Sequence, residues 1–248
     1  MSDVNRTNVA PSENNKSMDG SYSVTADSPW NWLYKVGGIA ALIIVVLIPI
    51  QSFIFIAYPP PSTVIDFFTL FHNNKILGLL DLDLLLTVNN VLLILIYLAL
   101  YTALRRANES LTAIALTIGL VGIVLYLVSR EATFSMLSLS EQYAVATTET
   151  QRSMFLAAGQ TMLTIYNGTA FDLSYVLGGV FILIISAVML HRNTFSKATA
   201  NVGILMGILM LVPPTVGPIG LLLSLISLVP TFIWLILIAR RLFQLSNA

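Results

Sequence analysis

The sequence contains no cysteine, only two histidines, and few charged residues for its length. The absence of cysteine excludes thiolate catalysis, thiolate metal sites and a disulfide framework. Charged residues make up 10% of the 248 positions, whereas soluble domains carry about 25%. The twelve basic and twelve acidic residues cancel, so no net positive charge is available to attract nucleic acid. We therefore expect neither a soluble protein nor a nucleic-acid partner.

Hydrophobic residues, by contrast, make up 56% of the chain and occur in long runs. A transmembrane helix needs about 20 apolar residues, and the runs predict an all-α, polytopic integral membrane helix bundle with six transmembrane helices. A membrane domain over residues 30–248 would contain spans at about residues 37–58, 85–105, 111–129, 169–190, 198–212 and 219–239. Membrane lipids are accordingly the first expected partners.

Two further helices are predicted outside the spans, on the outer face. Thr63 and Asp66 have the spacing of a capping box and open a short interfacial helix over residues 63–71. Ser138 and Glu141 have the same spacing, and no proline follows until well past Tyr166. This pattern predicts one long extramembrane amphipathic helix over residues 139–166, which could bind a protein partner.

The first 29 residues are rich in Ser, Asn, Asp and Thr and contain no apolar run. Such a segment cannot bury enough surface to offset its ordering entropy, so we expect a disordered cytoplasmic tail over residues 1–29. With six spans, nine of the twelve basic residues fall on the side of the N-terminus. The positive-inside rule then places both termini in the cytoplasm.

Four stretches, FSMLSLSEQYAVATTETQRSMFLAAGQ, TAFDLSYVLGG, ISAVMLHRNTFSKATA and WLILIARRLFQL, carry a family resemblance. The chain resembles a family of uncharacterised prokaryotic multi-pass membrane proteins that is classed as a domain of unknown function. The likeness covers most of Lys35 to Leu245 and leaves the tail outside. The resemblance implies six or seven membrane helices and a location in the prokaryotic cytoplasmic membrane, and it implies no activity.

Span 85–105 carries a polar line on an otherwise apolar helix. Six residues fall within about 40° of one direction at 100° per residue: Asp83, Thr87, Asn90, Tyr97, Tyr101 and Arg105. Lipid cannot hydrogen-bond such a line, so it should face protein. Together with the ends of two neighbouring spans it predicts an outer polar pocket formed by Asp83, Asn90, Tyr126, Arg130, Glu131 and Asp172.

This pocket has three interpretations. Arg130 could pair with a carboxylate and pin neighbouring helices, with Asp83 as the best partner and Asp172 and Glu131 as alternatives. The same residues could instead form a small site for a cation or a polar head group. The third interpretation is an ion pathway, which is weakened because no acidic residue is predicted at mid-membrane depth. The sequence leaves all three open.

Catalytic chemistry finds little support in the sequence. The two histidines, His72 and His191, fall on opposite sides of the membrane in the six-span arrangement, so they cannot share a metal. No phosphate-binding glycine motif is present. We predict no catalytic residue, no cofactor and no metal. The expected role is a non-enzymatic protein that binds a partner, lipid or small polar ligand on its outer face. A small-solute or ion transporter or channel is the alternative, and an intramembrane carboxylate-dependent enzyme a third.

Overall fold

The computed structural model describes residues 30–191 and 194–247, and the regular structure of this part of the chain is helical. The predicted disordered tail over residues 1–29 lies outside the described residues. The helices are α1 (Asn31–Ala57), α2 (Val64–Asn73), α3 (Lys75–Asp81), α4 (Leu84–Leu104), α5 (Glu109–Ser129), α6 (Ala132–Val145), α7 (Glu149–Tyr166), α8 (Thr169–Leu190), α9 (Lys197–Leu209) and α10 (Gly217–Ser246).

Six of these helices form a bundle arranged as a closed ring. Its order is α1, α4, α5, α8, α9 and α10, and α10 packs back against α1. Close approach depends on small residues: a Cβ atom at Gly119 would lie 2.7 Å from the ring of Tyr97. Tyr97 stacks on Phe181 with ring centroids 3.7 Å apart. The absence of a side chain at Gly119 of α5 therefore allows close packing against α4 and α8.

Within the described residues, five helical stretches are long and apolar enough to cross a membrane. They contain α1, α4, α5, α8 and α10. Helix α9 is apolar but has 13 residues, or about 20 Å, which is less than the ~30 Å of a bilayer hydrocarbon core. The length and apolar composition of these helices thus make the chain a multi-pass membrane protein. The predicted count of six spans is not confirmed, because α9 alone is too short.

The remaining helices, α2, α3, α6 and α7, form a small subdomain that we call the helical cap. It has its own apolar core, in which Phe68, Phe71 and Met136 are almost fully buried. Gly78 of α3 lies directly against the ring of Phe71, where a Cβ atom would be only 2.6 Å away. The side chain of Thr63 accepts a hydrogen bond from the Asp66 backbone amide at 3.3 Å, so α2 begins at the cap that the sequence spacing indicated, and its interfacial position stays a prediction.

The prediction of one continuous helix over residues 139–166 is wrong. Helix α6 already begins at Ala132, and the chain turns extended at Ala146 before α7 begins. The cause is a capping box formed by Thr148 and Gln151. The Thr148 hydroxyl oxygen accepts a hydrogen bond of 3.2 Å from the Gln151 backbone N–H, and the Gln151 side-chain oxygen accepts one from the Thr148 backbone N–H. These local bonds compete with helix continuation. Ser138 lies inside α6 and caps nothing.

The bundle has two distinct ends. At one end the Arg105 guanidinium lies 5.0 Å above the Trp30 ring, and the Arg241 side chain donates to the Thr194 carbonyl. The start of α1 and the end of α10 belong to this end. The helical cap lies at the other end, over the starts of α4 and α8 and the end of α5.

Candidate functional site

The candidate site lies where the helical cap meets the bundle, and two residues at helix ends define it. Asp83 immediately precedes α4 and adopts a left-handed backbone conformation, with φ 62° and ψ 30°. Aspartate tolerates this conformation better than most residues, because its short polar side chain can bond locally. Arg130 immediately follows α5. Asp83 lies at the start of α4 and Arg130 at the end of α5. Both termini belong to the same end of the bundle, so the two side chains meet beneath the cap.

Arg130 and Asp83 form a buried ion pair. The Arg130 Nε atom is 3.4 Å from Asp83 Oδ2, and the two side chains are only 2% and 9% exposed. The pairing expected from the sequence is therefore present. The Arg130 Nη1 atom also donates a hydrogen bond of 3.2 Å to the Tyr166 carbonyl at the end of α7.

Three aromatic rings surround the Arg130 guanidinium. Its central carbon lies 3.8 Å from the ring centroid of Tyr166, 4.5 Å from that of Phe171 and 4.7 Å from that of Tyr126. All three distances are within the range of a cation–π interaction. Burial raises the pKa of the Asp83 carboxyl above its ordinary value, while Arg130 opposes that rise. The carboxylate, the carbonyl and the rings surround the guanidinium, and Arg130 Nε and Tyr126 Oη are buried there without a hydrogen-bond partner among the described residues.

The other members of the predicted pocket do not join this pair. Asn90 is half-buried and donates to the Leu86 carbonyl of its own helix at 3.0 Å. Glu131 is exposed. Asp172 accepts a hydrogen bond from Thr215 in the loop between α9 and α10. The structure thus brings together Asp83, Tyr126 and Arg130 and places Asn90, Glu131 and Asp172 elsewhere.

Sequence analysis missed the two residues that complete the surroundings of Arg130. Tyr166 and Phe171 lie on either side of the turn between α7 and α8, and their rings cover the guanidinium. The Thr133 hydroxyl also donates to the Leu82 carbonyl at 2.7 Å, which ties α6 to the turn before α4. The signal available in the sequence was the pair of aromatic residues flanking Asn167–Gly168.

A second set of polar atoms lies inside the bundle. Asn89, and not its neighbour Asn90, is almost fully buried, and its Oδ1 atom has no hydrogen-bond partner among the described residues. Ser186 Oγ and Trp234 Nε1 are likewise buried without a partner there. Both atoms lie against Gly203, where a Cβ atom would be 2.7 Å from Trp234 Nε1.

Residues 30–191 and 194–247 hold no group of three or more acidic, histidine or cysteine side chains that could share a metal ion. His72 lies in α2 of the cap, and His191 follows α8 at the other end of the bundle. Shallow apolar depressions run along the described surface, and one follows α1 at Ile39, Leu42, Ile43, Val46 and Leu47. Such grooves are typical of a lipid-facing surface.

Comparison with known protein families finds a match over most of the chain. A family described as domain of unknown function DUF4386 matches residues 36–243 of the chain. The matched range includes the bundle and the helical cap. No curated protein and no solved structure matches the chain.

Proposed function

The chain belongs to this family of unknown function, and we propose that it is a non-enzymatic membrane protein whose helical cap binds a protein partner. The observation that carries the proposal is the buried Arg130 junction, which joins α4, α5 and the turn between α7 and α8. A junction of this kind holds the cap in a fixed orientation on the bundle. Rigid presentation lowers the entropic cost of binding a partner.

The surface of the cap supports the same proposal. Val145 is 77% exposed, Ile76 70%, Met154 65% and Phe134 58%. Charged and polar residues of α7 such as Glu149 and Arg152 lie near Met154 in the sequence and are exposed as well. Large exposed apolar side chains with a polar surround are characteristic of protein interfaces. Because the Arg130 guanidinium is buried, paired with Asp83 and covered by aromatic rings, a small polar ligand at that site is a weaker interpretation.

The proposal includes an orientation. The end of the bundle that carries Trp30, Arg105 and Arg241 would face the cytoplasm, in accord with the excess of basic residues there. The N- and C-termini would then be cytoplasmic, and the cap would lie outside a prokaryotic cytoplasmic membrane.

Site-specific photocrosslinking in intact cells tests the partner. A photoreactive phenylalanine analogue at Met154 should give one protein adduct of discrete mass, and Val145→Asp should abolish it. The same analogue at Val121, which is 47% exposed on α5, is the matched control and should label lipid. Lipid adducts alone at Met154 would contradict the proposal.

A transporter or channel is the second candidate, favoured by the unpartnered polar atoms of Asn89, Ser186 and Trp234 inside the bundle. Polar groups within a membrane bundle often mark a pathway for a solute. Flux of a panel of ions and small solutes into proteoliposomes would support this candidate if Ser186→Ala changed it. Absence of flux for the whole panel would leave the partner-binding role as the stronger one.

A further inference from the structure

Asp81 is a buried carboxylate that the Arg130 junction does not use. It is the last residue of α3 and is only 3% exposed. Its Oδ1 atom has no hydrogen-bond partner in the part of the chain that the structure describes. An ionised carboxylate in such a position is unfavourable unless a positive charge accompanies it. A proton or a bound cation would compensate the charge of Asp81.

Gln51 of α1 brings a second unpartnered oxygen to the same junction. Its side chain is 2% exposed, and its Nε2 atom donates a hydrogen bond of 3.0 Å to the carbonyl of Leu80, the residue next to Asp81. This bond fixes the amide group, and its Oε1 atom remains buried with no donor among the described residues. Two side-chain oxygens from α1 and α3 thus lack donors where these helices pack together.

The charged side chains on the helices packed against α3 are engaged elsewhere or exposed. Arg130 pairs with Asp83, and Lys75 pairs with Glu141 at the surface. Of the remaining titratable groups on α2, Asp66 and His72 are both exposed. Among the described residues no arginine, lysine or histidine forms an ion pair with Asp81.

We propose that Asp81 and Gln51 form a binding site for an alkali-metal cation at the junction of α1, α3 and α4. Carboxylate and amide oxygens are the ligands that hard cations prefer. One carboxylate balances one positive charge, so a monovalent ion leaves the buried site neutral, whereas a divalent ion would leave an excess charge. The site is separate from the partner surface of the cap and does not depend on that function.

Thermal unfolding of the purified full chain in detergent tests the site. Sodium, potassium or lithium chloride would replace choline chloride at constant ionic strength, so that screening stays the same. A cation that binds only the folded protein raises its melting temperature with the logarithm of concentration. We expect roughly 3 to 5 °C for each tenfold increase above the dissociation constant.

Two variants assign the effect to the site. Asp81→Asn keeps the shape of the side chain and should abolish the response to the cation. Gln51→Leu should raise at least tenfold the cation concentration that is needed for the same rise in melting temperature. Asp172→Asn is the matched control, since that half-buried carboxylate accepts from Thr215, and it should leave the response unchanged.

The wild-type protein alone can overturn the proposal, even if a variant fails to fold. Equal melting temperatures in sodium, potassium, lithium and choline would do so. A response to calcium without one to any alkali cation would also overturn it, as would a response of full size in Asp81→Asn. Failure of this site would not affect the partner-binding proposal, because the crosslinking experiment uses neither Asp81 nor Gln51.

Discussion

The Arg130–Asp83 pair should show strong energetic coupling when either partner is removed. Arg130→Met retains an unbranched side chain of similar length and leaves the Asp83 carboxylate buried without its cation. Asp83→Asn removes the charge and still suits the left-handed backbone at that position. Breaking a buried ion pair from one side costs ~3–5 kcal/mol, because an uncompensated charge remains.

The two single changes should differ in size. Arg130→Met also loses the contacts with the rings of Tyr126, Tyr166 and Phe171, and each cation–π contact is worth about 0.5–2 kcal/mol. Asp83→Asn leaves the guanidinium among those rings and bonded to the Tyr166 carbonyl. We therefore expect a loss of about 5 kcal/mol for Arg130→Met and of about 3 kcal/mol for Asp83→Asn, the two ends of that range.

A double-mutant cycle isolates the coupling. The double variant strands no charge, so its loss should be smaller than the sum of the single losses by about 2–3 kcal/mol. At roughly 2–4 °C per kcal/mol for a chain of this size, the difference is about 4–12 °C in melting temperature. The assay is thermal unfolding in detergent, with all four proteins in the same buffer.

The exposed Lys75–Glu141 pair provides the control cycle. Its side chains are 60% and 54% exposed, so Lys75→Met with Glu141→Gln should show a coupling of only ~0–1 kcal/mol. Additive losses at Arg130 and Asp83 would refute the reasoning, because they would mean that the guanidinium reaches water. The cap would then lack the fixed junction on which the proposed function depends.

Further predictions concern topology, the tail and pH. Cysteines at Ser153 of the cap and Ala198 of α9, both exposed, should react with an impermeant thiol reagent from opposite sides of intact cells; labelling from one side would contradict the arrangement. Deletion of residues 1–29 should leave the melting temperature unchanged, and a fall of several degrees would show that the tail docks. Burial raises the pKa of Asp81 from 3.8 to about 6. The protonated Asp81 carboxyl therefore contributes to stability below about pH 4, and this contribution is lost as the pH rises through about 6. In choline buffer the melting temperature should therefore fall over that window, and Asp81→Asn should flatten the fall.

The sequence predicted the Arg130–Asp83 pair for a physical reason that holds in the structure. A cation at the end of one span needs a carboxylate at the same depth. Helical spacing placed Asp83 at the outer end of the preceding span. The left-handed backbone of Asp83 could not be predicted, because it follows from the tight turn between α3 and α4. Tyr166 and Phe171 were missed because their approach depends on how α7 packs over the bundle.

Helical phase was the weaker part of the sequence argument. The polar line included Asn90, whereas the structure buries Asn89 more deeply. Helix α4 contacts α1, α5 and α8, so more than one of its faces meets protein and a single inward line does not describe it. The break between α6 and α7 was missed because Ser138 and Glu141 matched a capping pattern, while the capping box that forms is at Thr148 and Gln151.

The position of the buried pair explains why a charged junction suits this architecture. An apolar contact between cap and bundle could be satisfied in several neighbouring arrangements, because hydrophobic burial has no direction. Arg130 must instead meet the Asp83 carboxylate and the Tyr166 carbonyl at once, and few orientations of α7 over α4 and α5 allow both. We infer that the pair contributes specificity of orientation more than net stability. The cap can therefore present the same surface in every copy of the protein.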